Sequence, residues 1–74
     1  MKITVRLFAF FRDGRFIEEV REYPEKTTVT GIINDLEINI AEVGVTMIAS
    51  RHCSLDTQVK DGDQLGIFPM IGGG

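Results

Sequence analysis

A single helical stripe limits what this chain can become. Val29, Ile32, Ile33 and Leu36 recur at i, i+3, i+4 and i+7, which places them on one face of an α-helix, with Thr28 positioned to cap its amino terminus. The stretch is too short to be stable alone, because nucleation is costly, and Gly31 inside it costs about 1 kcal/mol relative to alanine. The helix must therefore pack on a sheet. A chain of 74 residues is one domain with one modest core, since folding at this size buries only about 60% of the unfolded surface.

The remaining periodic segments read as strands. Residues 2–11 alternate, with Ile3, Val5, Leu7 and Ala9 on one face and Lys2, Thr4, Arg6, Phe8 and Phe10 on the other. Asp13-Gly14 supplies a two-residue hairpin signal, and residues 15–23 form the return strand. Glu18, Glu19, Arg21 and Glu22 give that strand the charge of a sheet edge, and the adjacent Phe16-Ile17 suggests a bulge in it. Residues 45–49 form a third strand, 51–54 a short fourth, and Asp61-Gly62-Asp63 turns into a last strand at 64–68. This order predicts an α+β fold, a mixed sheet of four to five strands with one main helix across one face. In such an arrangement the first and last strands lie side by side and parallel in the middle of the sheet, and a right-handed crossover through the helix can carry the chain from the hairpin back into the sheet. The inward set is Ile3, Val5, Leu7, Val29, Ile32, Ile33, Leu36, Leu65 and Ile67.

Composition excludes several function classes. The net charge of −3 offers no basic stripe for a phosphate backbone, so no nucleic-acid partner is expected. No apolar run approaches the roughly 18 residues of a membrane span, and the first residues lack the basic-then-apolar pattern of a signal peptide. A cytoplasmic protein without a membrane partner is the expectation. Cys53 is the single cysteine, so neither an internal disulfide nor a zinc or iron–sulfur site is expected. His52 is the single histidine, and as a strand neighbour of Cys53 it points to the opposite face, where it cannot readily activate a thiol. Glu18, Glu19 and Glu22 read as a charged edge, and Asp61 and Asp63 as turn residues, rather than as an acid–base pair or a metal site.

The sequence closes on Gly72, Gly73 and Gly74, directly after the apolar run 64–71. Glycine has nothing to bury and loses the most backbone freedom on ordering, so a glycine run suits a threaded tail better than a docked one. The expected division is a domain over 1–69 and a flexible tail over 70–74. The tail's five residues reach roughly 17 Å when extended. A frayed end or a tag remnant is the plain alternative. If the strand pattern holds, Phe8 and Phe68 lie outward on neighbouring central strands, and an exposed apolar pair of that kind marks an interface. Phe10 is a weaker addition to it.

Four segments together resemble a known family. They are Val5-Arg6-Leu7-Phe8-Ala9, the stretch from Tyr23-Pro24 to Thr28-Val29, Lys60-Asp61-Gly62-Asp63-Gln64-Leu65, and Phe68-Pro69 followed by the closing glycines. The pattern is similar to the MoaD/ThiS family of ubiquitin-like sulfur carriers, over essentially the whole chain, and is closer to the molybdopterin branch than to the thiamine branch. The chain departs from the family in three places: Ala49-Ser50 where members often have Asn-Gly, Met70 where many have a second proline, and three closing glycines where two are usual.

The resemblance implies a ubiquitin-like β-grasp fold and a carrier, or small non-catalytic subunit, rather than an enzyme. A terminal carboxylate, with a reference pKa of about 3.3 to 3.7, is an anion at neutral pH and must be activated before it can react. An E1-like adenylating enzyme, which uses the ATP, would turn Gly74 into an acyl adenylate and then a thiocarboxylate, with Gly72 and Gly73 as the tail behind it. The implied recipient is the large subunit of molybdopterin synthase, in molybdenum or tungsten cofactor biosynthesis. Phe8, Phe68 and Pro69 are the implied partner-binding residues, and no bound cofactor or metal is implied. The alternatives left open are a carrier for thiazole synthase in thiamine biosynthesis, a ubiquitin-like modifier joined to lysines through Gly74, and a non-covalent interaction module.

Overall fold

The computed structural model describes residues 1–70, so the expected tail, apart from Met70, lies outside the described residues. In β1 (Lys2–Leu7) the alternation holds: Ile3, Val5 and Leu7 are fully buried, and Lys2 and Arg6 are exposed. The strand stops there rather than running to residue 11. Ala9 is exposed and takes a φ of 51°, and Ala9–Arg12 wind into a 3-10 turn that folds Phe11 back into the core. Burying a phenylalanine contributes about 1.5–3 kcal/mol, enough to offset the roughly 1–2 kcal/mol of a left-handed alanine. Asp13-Gly14 is not a two-residue hairpin loop. Asp13 (φ −64°, ψ 122°) and Gly14 (φ 68°) make a type II turn, closed by the Arg15 N–H donating to the Arg12 carbonyl at 3.0 Å.

Strand β2 (Glu18–Glu22) is shorter than the expected 15–23 and pairs antiparallel with β1 in unbroken register from Lys2↔Glu22 to Arg6↔Glu18; Phe16 and Ile17, the site of the expected bulge, precede it. It is an edge strand with its glutamates exposed, as its charge requires. Behind it Tyr23 is buried. Its hydroxyl donates to Asp35 Oδ2 at 3.0 Å and accepts from Arg21 Nε at 3.1 Å. Burial first, then the hydrogen bond to the Asp35 carboxylate, pushes the Tyr23 phenol above its ordinary value.

Helix α1 (Val29–Asp35) carries the predicted stripe, with Val29, Ile32 and Ile33 buried and Leu36 closing it. Its amino terminus is fully satisfied. Thr28 Oγ1 accepts from the Gly31 N–H at 3.1 Å, the Val29 and Thr30 N–H groups donate to the carbonyls of Thr57 and Leu55, and the Ile32 N–H donates to Thr28 O. At the other end Arg15 donates to the carbonyls of Leu36 and Glu37 at 3.2 and 3.1 Å.

A second 3-10 turn, Ile40–Glu42, leads into β3 (Val43–Ile48), which pairs antiparallel with β4 (Arg51–His52). Between them Ala49 and Ser50 have φ of 52° and 64°, a two-residue turn of the type that usually takes Asn-Gly. Strand β5 (Gln64–Pro69) follows the turn in which the Lys60 N–H donates to Asp63 Oδ2 and the Lys2 N–H to Asp61 Oδ1, both at 2.7 Å. The five-stranded order is β2-β1-β5-β3-β4, with β1 and β5 parallel at the centre, the ubiquitin-like β-grasp arrangement. All nine residues of the predicted inward set are buried, and Phe11, Tyr23, Ile38 and Val59 join them.

Candidate functional site: the outer sheet face and the base of the tail

The helix covers one face of the sheet and leaves the other to solvent. On that outer face the register aligns Thr4 with Gln64 and Arg6 with Gly66 across β1 and β5, and Gly66 with Met47 and Phe68 with Val45 across β5 and β3. Phe8 continues the outer row of β1. Its ring stacks on that of Phe68, with centroids 3.9 Å apart and planes 9° from parallel. The expected pair of aromatics is therefore formed, and both rings are half-buried.

Gly66 explains how the rings lie flat. A Cβ there would meet Phe68 Cε1 and Phe8 Cε2, each at 3.4 Å, so the bare backbone serves as the floor beneath both edges. Two guanidiniums frame the stack, Arg6 and Arg12, each with Cζ 5.5 Å from the Phe8 centroid. Arg12 is fixed by Nε donating to the Leu7 carbonyl at 2.7 Å. Beside the rings is a shallow depression of about 190 Å³, bordered by Thr4, Met47 and the Ala49-Ser50 turn. Phe10 is set apart from this pair, 43% exposed and edge-on to Phe11 at 5.0 Å.

Pro69 has a different setting from the two phenylalanines. It is buried at the end of β5, opposite Val43. Proline lacks the N–H that a ladder rung needs, and sheets admit it at bulges. A bulge is present: the register steps from Val45↔Phe68 to Val43↔Pro69, leaving Gly44 as the extra residue. The chain then leaves the sheet with the Met70 N–H donating to the Glu42 carbonyl at 2.8 Å. Gly72, Gly73 and Gly74 lie outside the described residues.

The groups that might have made a catalyst do not converge. His52 is exposed on β4 opposite Met47, while Cys53 is half-buried against the core, 3.6 Å from Thr46 Oγ1. Among the described residues no group of three His, Cys, Asp or Glu side chains is arranged to hold a metal ion. Nor is any helix among them long and apolar enough to cross a membrane. The described residues present an open sheet face with a stacked aromatic pair, on the strand that ends at Pro69.

The ThiS family model matches residues 5–74. The chain belongs to the ThiS family. Its fold is shared with a protein from Pyrococcus furiosus assigned as molybdopterin converting factor subunit 1, at 31% identity and a TM-score of 0.76, covering 96% of this chain and 99% of that one. Subunit 1 in the complex of subunits 1 and 2 of the molybdopterin-converting factor from Helicobacter pylori is similar in fold at 19% identity (TM-score 0.68), with both chains covered completely. Small archaeal modifier protein 1 of Haloferax volcanii is also similar in fold, at 16% identity and a TM-score of 0.74, over 95% of this chain and 98% of its own. No curated protein matches the sequence. ThiS-family proteins are small carriers rather than catalysts.

Sequence reasoning reached the two rings of this ThiS-family site but not what surrounds them. Gly66 carried a signal, because it stands two residues before Phe68 on the same face, and an isolated strand glycine marks a close approach. Arg12 and Gly44 carried none. Their positions depend on the 3-10 turn and on the bulge, which no alternation pattern encodes.

Proposed function

We propose that this ThiS-family protein carries sulfur as a thiocarboxylate on Gly74 for the synthesis of molybdopterin-type cofactors, molybdenum or tungsten. The observation that carries the reading is the placement of the Phe8–Phe68 stack on the open face of the same strand, β5, that leads toward the glycines. Family membership extending through residue 74 supports a carrier, and 31% identity to a protein assigned as molybdopterin converting factor subunit 1 favours the molybdopterin branch.

In this reading an E1-like adenylating enzyme binds the outer face and receives the tail. The Gly74 carboxylate attacks the α-phosphorus of ATP, forming an acyl adenylate and releasing pyrophosphate. A persulfide-type donor then adds its terminal sulfur to the acyl carbon and AMP leaves; reductive cleavage of the S–S bond by a thiol frees the thiocarboxylate. At the large subunit of molybdopterin synthase this sulfur attacks a carbon of the bound precursor and displaces an oxygen substituent from it, which leaves with a proton. Hydrolysis of the resulting acyl link leaves the sulfur behind and returns the free carboxylate. Phe8 and Phe68 anchor both partners, while Pro69 fixes the backbone where the tail starts.

Incubation with ATP, a cognate adenylating enzyme and a persulfide donor tests the proposal. Intact-mass analysis should show one oxygen replaced by sulfur, mapped to Gly74, and an alanine appended after Gly74 should prevent it. A verified partner that yields no such product refutes it.

A further inference from the structure

Gly44 is exposed, lies within a strand and has no turn to make, so nothing about its own solvent-facing position requires glycine. The requirement comes from across the ladder. A Cβ at Gly44 would sit 3.0 Å from each of three backbone atoms, Met70 Cα, Met70 N and Pro69 O. None of these belongs to a side chain that can swing away. The bulge that makes Gly44 the extra residue thus presses bare backbone against the peptide joining Pro69 to Met70, where the chain leaves the sheet. The Met70 N–H also donates to the Glu42 carbonyl at 2.8 Å, so the same segment, residues 42–44, both abuts that peptide and hydrogen-bonds it.

From this contact we propose that Gly44 is a positioning residue that aims the tail. It rests on the reading of the chain as a carrier whose carboxy-terminal residues enter a partner's active site. β3 supplies a surface against which the Pro69–Met70 peptide is set, so the point at which the chain leaves the sheet is fixed relative to the outer face. A side chain at residue 44 would displace the Pro69–Met70 peptide by tenths of an ångström and turn the direction in which the chain leaves the sheet. The nearest atoms such a side chain would meet all belong to the Pro69–Met70 backbone, and none to the stacked rings of Phe8 and Phe68. Recognition and delivery therefore separate.

The experiment is steady-state adenylation of the full chain, wild type and Gly44→Ala, by a cognate adenylating enzyme with ATP, read as pyrophosphate release. The expected result is a fall in kcat of about 3- to 10-fold, below the roughly 100-fold of a full ångström of misplacement, with KM for the carrier nearly unchanged. Amide hydrogen exchange on the same variant checks the fold: the Met70 amide should lose protection while those of Val5 and Ile67 keep theirs. An unchanged kcat overturns the proposal, as does a rise in KM alone, which would make Gly44 a docking residue. Loss of protection at Val5 and Ile67 also overturns it, because Gly44 would then serve the fold. A wild-type chain that is not adenylated sinks the carrier reading itself, whereas active wild type with an equally active variant sinks only the aiming role.

Discussion

Replacing Phe68 with alanine separates the platform from the core. The ring stacks on Phe8 at 3.9 Å, is half-buried, and points away from the helix. Aromatic stacking contributes about 0.5–1.5 kcal/mol, and the rest of a half-buried ring brings the expected loss to roughly 2 kcal/mol, below the 3–5 kcal/mol of a fully buried phenylalanine. For a domain of this size that lowers the melting temperature by roughly 10 °C and leaves the protein folded at 25 °C. Binding should suffer more, because an aromatic anchor at an interface centre contributes 2 kcal/mol or more, about 30-fold in Kd. Titration calorimetry against a cognate adenylating enzyme, run beside thermal unfolding, measures both. Leu55→Ala, exposed in the loop beside the amino terminus of α1, serves as the control and should bind like wild type. Unchanged binding by a folded Phe68→Ala protein would refute the platform, and complete unfolding would assign the ring to the core.

The Ala49-Ser50 turn is strained, and Ser50→Gly should stabilise it. Relief of a left-handed residue, about 1–2 kcal/mol, less the extra chain entropy of glycine, about 0.5–1 kcal/mol, leaves a gain of up to about 1.5 kcal/mol and a melting temperature a few degrees higher; a decrease would contradict the assigned turn. Stability should also fall in alkali. Because the Tyr23 pKa is raised in the fold, its contribution is complete below the unfolded value of about 10 and is lost as pH rises through the folded value. Tyr23→Phe should therefore flatten the alkaline limb of a stability–pH profile, and an unaltered limb would remove Tyr23 from it.

Much of the fold was legible because it follows from local period. The stripe Val29, Ile32, Ile33, Leu36 and the alternations in β1 and β5 each identify a buried face, and the hairpin–helix–strand order points to the arrangement in which β1 and β5 are parallel neighbours. The same two facts made the Phe8–Phe68 contact legible. Residues 8–12 were not. Phe8, Phe10 and Phe11 satisfy a strand pattern as well as a tight turn, and the turn wins only because Phe11 reaches a core assembled from distant segments. Tyr23, Ile38 and Val59 belong to connections with no period, so their burial is visible only once the helix has docked. The bulge at Gly44 answers to the missing N–H of Pro69 on another strand, a tertiary cause that the sequence around Gly44 does not display.

The mass of the chain recovered from cells with its native carboxy terminus tests the central claim most directly. A carrier regenerates its terminus with each transfer, so the protein should be found as free carboxylate and thiocarboxylate. The thiocarboxylate should revert to carboxylate when a molybdopterin synthase large subunit and its precursor are supplied. Accumulation instead as amide adducts on lysines of other proteins, abolished by removing Gly73 and Gly74, would contradict the account and make the protein a modifier.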